Sequence, residues 1–526
     1  MQLMRLLVGF ALWLVLSAGR VCAQSSDLAI KSNRGKELIA AGKFEEAIPI
    51  YKDLVRTLPG NPGPVMNLGL ALHMTGHDQE AVTQFQTVLK LQPNHLPAHL
   101  FLGAAYLGLK EPAKAIEPLK TFVRAQPNDH EARLLLGEAL LSLDRFEEAA
   151  KQFGRLSVLD PENPKAWNGL GLSYEGLANR NFEELEKVAP GSAYWLVLVA
   201  EARAKADQYP RAFYFYREAL KQMPALRGVH AAVAEVYRKT GHPDWAAQEE
   251  QQERSAPPQT CSDMASAKGL GATGNDRTAV PRTDPRVRSQ RLECDFRGAQ
   301  YHELLAGSKG VRTSEAYFWR TRAYNELARQ AFRQLAQLPP SGEVHELLAK
   351  IHFGQRNYPA AARDWQEALK FSPESPYYQR ELAVSLSASG DYEHARPLLS
   401  DLTKRSPDSV ELNYWLGFTL LSLEKAEEAI PFLRKAVKGD PGVLESQRDL
   451  ARAYLRVGLV EEAVPHLRAA LPIDEDGGLY YQLAQAYRRT GQRNLEKEAL
   501  VKFHAIQSST TVEKKRTEEQ IQITPP

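Results

Sequence analysis

The residues with the greatest chemical reach are few. His302-Glu303 and His345-Glu346 each begin the pattern HExxH, in which two imidazoles one helical turn apart hold zinc and the glutamate activates water. Ala306 and Ala349 stand where the second imidazole belongs, so both pairs read as surface residues of helices. Gly269, Gly271 and Gly274 spell GxGxxG, but that turn cradles a pyrophosphate only between a strand and a helix, and neither flank reads as either. His95 and His99 are separated by Pro97 where a loop becomes a helix, and His73 and His77 straddle Gly76. There is no CxxC, no phosphate-binding GxxxxGK and no GxSxG elbow. No catalytic residue, metal-ligand set or cofactor site emerges, and the expectation is a non-enzymatic chain.

Cysteine usage points to a compartment. Arg5 followed by the apolar run Leu6 to Ala18 and by Val21-Cys22-Ala23 reads as a secretory signal over residues 1–23, with a mature chain starting near Gln24. The run is too short to span a bilayer, and Arg20-Val21 before Cys22 does not suit a lipid-modified cysteine. Beyond the signal only Cys261 and Cys294 remain. A single pair in an exported chain favours a disulfide, worth about 3 to 4 kcal/mol by loop-closure entropy. The absence of any Asn-x-Ser/Thr triplet leans toward a bacterial periplasm or the exterior, without stable membrane insertion after cleavage.

The elements that carry these residues follow from a repeat. Gly35, Gly69, Gly103, Gly137 and Gly171 recur every 34 residues, as do Ala47, Ala81, Ala115 and Ala149, and Pro59, Pro93, Pro127 and Pro161. The glycine lets two helices approach closely, the alanine fills their crossing, and the proline stops the second helix. Apolar spacing such as Leu134, Leu135, Gly137, Ala139 and Leu140 has the period of an amphipathic helix. The register resumes at Ala361, Ala395, Ala429 and Ala463. Glutamate pairs at 45–46, 147–148, 427–428 and 461–462 open the second helix of their units, where they favour the helix dipole. After Tyr174 the second helix, around Asn181 to Val188, lacks its small residue and the next unit arrives early, which predicts a bend or shortened hairpin.

With Trp167-x-x-Leu170-Gly171-x-x-Tyr174 the chain resembles the tetratricopeptide repeat (TPR) family. The resemblance implies an all-α fold, a TPR superhelical solenoid of α-α hairpins in two blocks. The N-terminal block covers 28–256, an irregular Pro/Gly-rich linker 257–296, the C-terminal block 297–505, and a disordered tail 506–526. Hydrophobic residues at 43% rule out a wholly disordered chain, and 66 Lys+Arg against 64 Asp+Glu give no reason to expect nucleic acid.

The resemblance further implies that the first helix of each unit lines a concave groove. Its positions are apolar in the N-terminal block: Met66, Leu70, His73, Met74, Leu100, Leu107, Leu134, Leu141 and Leu172. These either fill the space between neighbouring helices or form a channel for an apolar segment. In the C-terminal block they are Tyr377, Arg380, Tyr414, Phe418, Arg448, Arg452, Arg456, Tyr481, Arg488 and Arg489. Arginines four apart on one helix repel unless something neutralises them; Glu445 and Asp449 could do so, or an acidic partner, or an anionic polymer. The expected function is a protein-protein interaction scaffold of the cell envelope that binds a peptide or protein. A component of a polysaccharide or protein export machine is the alternative, and an enzyme with its site in the linker a third. Neither partner nor oligomeric state is legible.

Overall fold

The computed structural model describes residues 27–255, 261, 285–520 and 522–526. The signal segment 1–23, the GxGxxG run and Pro257-Pro258 lie outside the described residues. Among the described residues every regular element is a helix.

Helix pairs recur because local signals start and stop them at fixed places. Asn61, Asp129, Ser375 and Ser409 each accept a hydrogen bond from a backbone N–H of the first turn that follows, satisfying donors that helix geometry leaves free. Between the two helices of a hairpin the chain reverses through one residue with positive φ: Gly42, Gly76, Lys110 and Asp144, then Arg356, Gly390, Glu424 and Gly458. The two helices then meet where the register glycine leaves room. A Cβ on Gly69 would stand 2.6 Å from Phe85, on Gly103 2.4 Å from Leu119, on Gly137 2.8 Å from Phe153, and on Gly417 2.6 Å from Leu433. In each hairpin the filling side chain lies sixteen residues further on. The register alanines, including Ala47, Ala81, Ala395 and Ala429, are fully buried.

Two places depart from this rule. The shortened hairpin expected after Tyr174 does not form: Pro164–Val188 is one continuous helix of 25 residues. Ser314–Gln337 is a second, of 24 residues. In the slot that alanine fills elsewhere stand Glu183 and Arg333, both exposed. Folding back would press a charge into a helix crossing, whereas continuing the helix leaves it in water. The two helices share a motif: Tyr174, Leu177, Ala178, Phe182 and Leu185 recur as Tyr324, Leu327, Ala328, Phe332 and Leu335.

Contacts divide the chain into two compact units, and the division falls inside these helices and not in the expected linker. The first unit ends at Asn179 and includes Tyr324–Gln334; the second comprises Arg180–Ala323 and the chain from Leu335 onward. Within the first, Gly171 has no following hairpin helix to meet, and its niche is filled by Phe332, 2.3 Å from where its Cβ would lie. Tyr174 stacks on Tyr324 beside it with centroids 6.1 Å apart. Within the second, Leu185 joins a buried cluster with Leu196, Phe213, Tyr216, Tyr237, Phe318 and Trp319. A separate core runs through the later hairpins from Ala349 to Ala499.

Two further expectations change. Residues 285–296, read as irregular, belong to the helix Pro285–Arg297. Residues 506–520, read as tail, continue the helix Arg493–Gln520, because their polar side chains still include good helix formers and no proline before Pro525. Cys261 and Cys294 are joined as a disulfide.

Candidate functional site

The first helices of the later hairpins are Gly342–Gly354, Pro376–Ala388, Val410–Ser422, Leu444–Arg456 and Gly478–Arg489. The 34-residue register aligns Glu346, Arg380, Tyr414, Arg448 and Gln482 on them in one row. Neighbouring helices are linked along this row. The Tyr378 hydroxyl donates to Glu346 at 3.0 Å, and Arg380 lies 3.6 Å from Glu411 and 5.3 Å from the centre of the Tyr377 ring. Tyr414 stacks at 6.1 Å on Phe418 of its own helix, and burial together with the charge of Asp449 on the next first helix pushes its hydroxyl pKa well up.

The centre of the row is a fork around one buried acid. Asp449 has no exposed surface, and Arg448 donates to it from Nε at 3.0 Å and from a terminal nitrogen at 3.2 Å. Arg452 adds a third bond at 3.3 Å. The Asp449 carboxylate raises the Arg448 pKa further, against the opposing effect of burial. Arg456 donates at 2.8 Å to the carbonyl of Leu421, at the end of the preceding first helix, where a cation complements the helix dipole. The repulsion read from the arginine spacing is therefore relieved inside the chain, and a partner is not needed for that purpose.

The fork still faces a cavity of about 730 Å³ lined by Arg448, Arg452, Glu445, Ile473, Asp474, Glu475, Asp476, Gly478, Leu479 and Gln482. Two of its acids are engaged: Asp474 accepts from the backbone N–H groups of Leu479 and Tyr480 at 3.1 and 2.9 Å, and Asp476 from that of Gly478 at 2.8 Å. Gln482 Oε1 is buried without a hydrogen-bond partner. Each guanidinium has five N–H donors, so the fork keeps donors beyond those spent on Asp449. The wall is of mixed charge, and of the ways the arginine spacing left open to neutralise it, Asp449 is the one used within the chain.

Other candidate residues separate clearly. Tyr377 and Tyr481 are exposed, as are Arg488 and Arg489. In the N-terminal hairpins Met66 and Leu100 are buried in the core, which removes Met66 from any binding surface; Leu70 is half-buried and Met74 is exposed. His345 is half-buried and engaged: its Nδ1 lies 3.2 Å from Asp364, which His352 also meets at 2.7 Å. His302 is exposed. His95 caps the helix that begins at Leu96, and His73 pairs with Asp78 at 2.5 Å. Among the described residues no group of three or more His, Cys, Asp or Glu is placed to hold a metal ion, and no helix is long and apolar enough to cross a membrane.

Sequence reasoning missed the cavity itself. The signal that could have found it is the run Asp474-Glu475-Asp476-Gly477-Gly478, where acids and glycines replace the usual proline turn before a first helix.

Stacked two-helix modules with a repeating glycine niche define a class, the α-α repeat scaffolds that work through the surface their helices present. Models described as tetratricopeptide repeat match residues 38–94, 79–130, 102–164, 134–180, 317–378, 380–443 and 420–487. Together these cover more than half of the chain, and it belongs to the tetratricopeptide repeat family, a family of protein-interaction scaffolds. Among solved structures it is similar to MamA from Desulfovibrio magneticus RS-1, at 26% identity over 38% of this chain and 96% of that one, with a TM-score of 0.27. A tetratricopeptide repeat protein from Parabacteroides merdae ATCC 43184 aligns at 13% identity over 68% of this chain and 98% of that one, with a TM-score of 0.29. YrrB, described as a TPR protein with an unusual peptide-binding site, aligns at 19% identity over 37% and 85%, with a TM-score of 0.26. No curated protein matches the chain.

Proposed function

We propose that this chain is a non-enzymatic interaction scaffold exported to the cell envelope, and that the face built on Arg448, Arg452 and Gln482 binds a protein or peptide segment carrying a carboxylate. The observation that carries this reading is the fork. Asp449 holds two guanidinium groups in place before any ligand arrives, so a bound carboxylate is spared part of the ordering cost. The unpartnered Gln482 Oε1 would accept a hydrogen bond from the same segment. Export is supported by the composition of residues 1–23 and by the joined Cys261 and Cys294, since such bonds persist in oxidising compartments.

The test is photo-crosslinking from position 475 of the full-length protein, an exposed residue of the cavity wall, in envelope extract, followed by mass spectrometry. A defined protein should be captured, and Arg452→Gln, which leaves the Arg448 pair on Asp449, should reduce its capture at least about tenfold, the loss of one charge-assisted contact. Capture that is unchanged by Arg452→Gln overturns the proposed face. Export is tested separately by N-terminal sequencing of the cellular protein, which should begin at Gln24.

A further inference from the structure

The segment Gln522–Pro526 lies against the second unit at a place that shares no residue with the fork. The Tyr237 hydroxyl donates to the backbone carbonyl of Thr524 at 2.6 Å, across 287 residues of sequence. Ile523 is half-buried and packs against the cluster that contains Tyr237, Phe213 and Val233. Its neighbours Gln522, Thr524, Pro525 and Pro526 are exposed.

The host is built for this contact. Tyr237 itself is fully buried, with its ring 5.4 Å from that of Phe213 and 5.5 Å from that of Trp245. Trp245 is fixed in turn by His242, stacked at 4.1 Å with an interplanar angle of 9°. Burial, and after it the charge of Glu249, pushes the Tyr237 pKa up to about 12, which keeps the hydroxyl a donor at every physiological pH.

The guest has the chemistry of a peptide ligand. Thr524 precedes a proline, which biases it to extended backbone, and two prolines in a row lose little freedom on binding. The hydroxyl reads a main-chain carbonyl and the cluster reads one aliphatic side chain, so recognition extends to any segment with an aliphatic residue ahead of a proline-stiffened extended run. One half-buried side chain and one hydrogen bond are a weak hold for an ordered segment. A segment held so lightly exchanges with the solvent and yields to a competitor.

We propose that the Tyr237 face is a peptide-binding site for extended aliphatic-x-Pro-Pro segments, occupied in cis by the chain's own Gln522–Pro526 and opened when a competing segment displaces it. The inference goes beyond the fork and does not depend on it, because the two sites share no residue.

The experiment uses the full-length protein and a fluorescein-labelled peptide of sequence Gln-Ile-Thr-Pro-Pro, read by anisotropy. An occupied site weakens apparent affinity by the fraction of time it is open. Ile523→Asp, which removes the cis anchor, should therefore tighten peptide binding by at least about threefold, given the high effective concentration of a tethered segment. Adding Tyr237→Phe to Ile523→Asp, a change of one oxygen atom, should weaken it again at least about fivefold, the loss of one hydrogen bond. Equal peptide affinity for the wild type and Ile523→Asp overturns occupation in cis. Binding that survives Tyr237→Phe unchanged overturns the site, and binding lost instead with Tyr487→Phe places the peptide at the cavity formed by Tyr480, Leu483, Tyr487 and Leu495.

Discussion

One row of the repeat meets opposite demands at the two ends of the chain. In the early hairpins the row reads Met66, Leu100 and Leu134; in the late ones the same register reads Arg380, Tyr414, Arg448 and Gln482. Met66 and Leu100 are each 8% exposed and belong to the core. Arg448 keeps a third of its side chain in water and spends the rest on a buried carboxylate. The backbone geometry is alike, so the difference lies in what joins one first helix to the next. The early hairpins use area removed from water, whose contribution survives salt and pH. The late ones use charge, whose contribution depends on keeping both partners in place. A row of one kind is a wall, and a row of the other kind still has donors to offer a ligand.

The contrast can be broken most forcefully at Asp449. Replacing Arg448 and Arg452 together by Met leaves a fully buried carboxylate without a cation and is expected to cost about 3 to 5 kcal/mol in urea denaturation. Adding Asp449→Leu should recover most of the loss; a double variant as stable as the wild type would show that the acid is not held by this pair. Next in size, Met66→Ala should cost about 2 to 4 kcal/mol as a core truncation, while Arg488→Ala at an exposed position of a late first helix stays within about 0.5 kcal/mol. Equal costs would erase the distinction between wall and working surface.

The hairpin turns sharpen the comparison in the other direction, because both ends share the same backbone need. Lys110 and Glu424 sit at φ of 58° and 63°, a left-handed conformation that costs a side chain about 1 to 2 kcal/mol. Lys110→Gly and Glu424→Gly should each stabilise the protein by about 0.5 to 1 kcal/mol once the greater freedom of glycine in the unfolded chain is offset. The smallest effect belongs to the late hairpins alone. His466, 2.6 Å from Gln447 and stacked near Tyr454, has its pKa lowered by burial and then by Arg434. Its folded form resists the proton that the unfolded chain takes up, so stability is full above about pH 6.5 and falls as the pH drops below that value. The dependence should vanish in His466→Gln when melting is followed between pH 7 and 5.

Much of this is legible in the sequence. The glycine, alanine and proline registers identify the hairpins because each answers a steric need of two close helices. Glu183 in the alanine slot marks the place where the rule breaks. What replaces the missing helix was not legible from spacing alone: Phe332 reaches the Gly171 niche from a distant stretch, and only the recurrence of the Tyr174 motif at Tyr324 hints at it. The arginine spacing locates the fork, but whether Asp449 or a partner balances it depends on burial, which a spacing pattern does not encode. The polar end of the chain reads as disorder because composition does not register a single isoleucine finding an aromatic cluster.

The borrowed side chain at Gly171 carries a consequence for biogenesis. The first unit draws on Tyr324–Gln334, a stretch made long after Asn179 has left the ribosome. Its fifth repeat is therefore unfinished while the whole stretch between Gly171 and Phe332 is made, with an apolar notch open to water, and folding cannot simply follow translation from one end to the other. A nascent chain must keep that notch from mispairing until the second long helix emerges, a task suited to a holding chaperone.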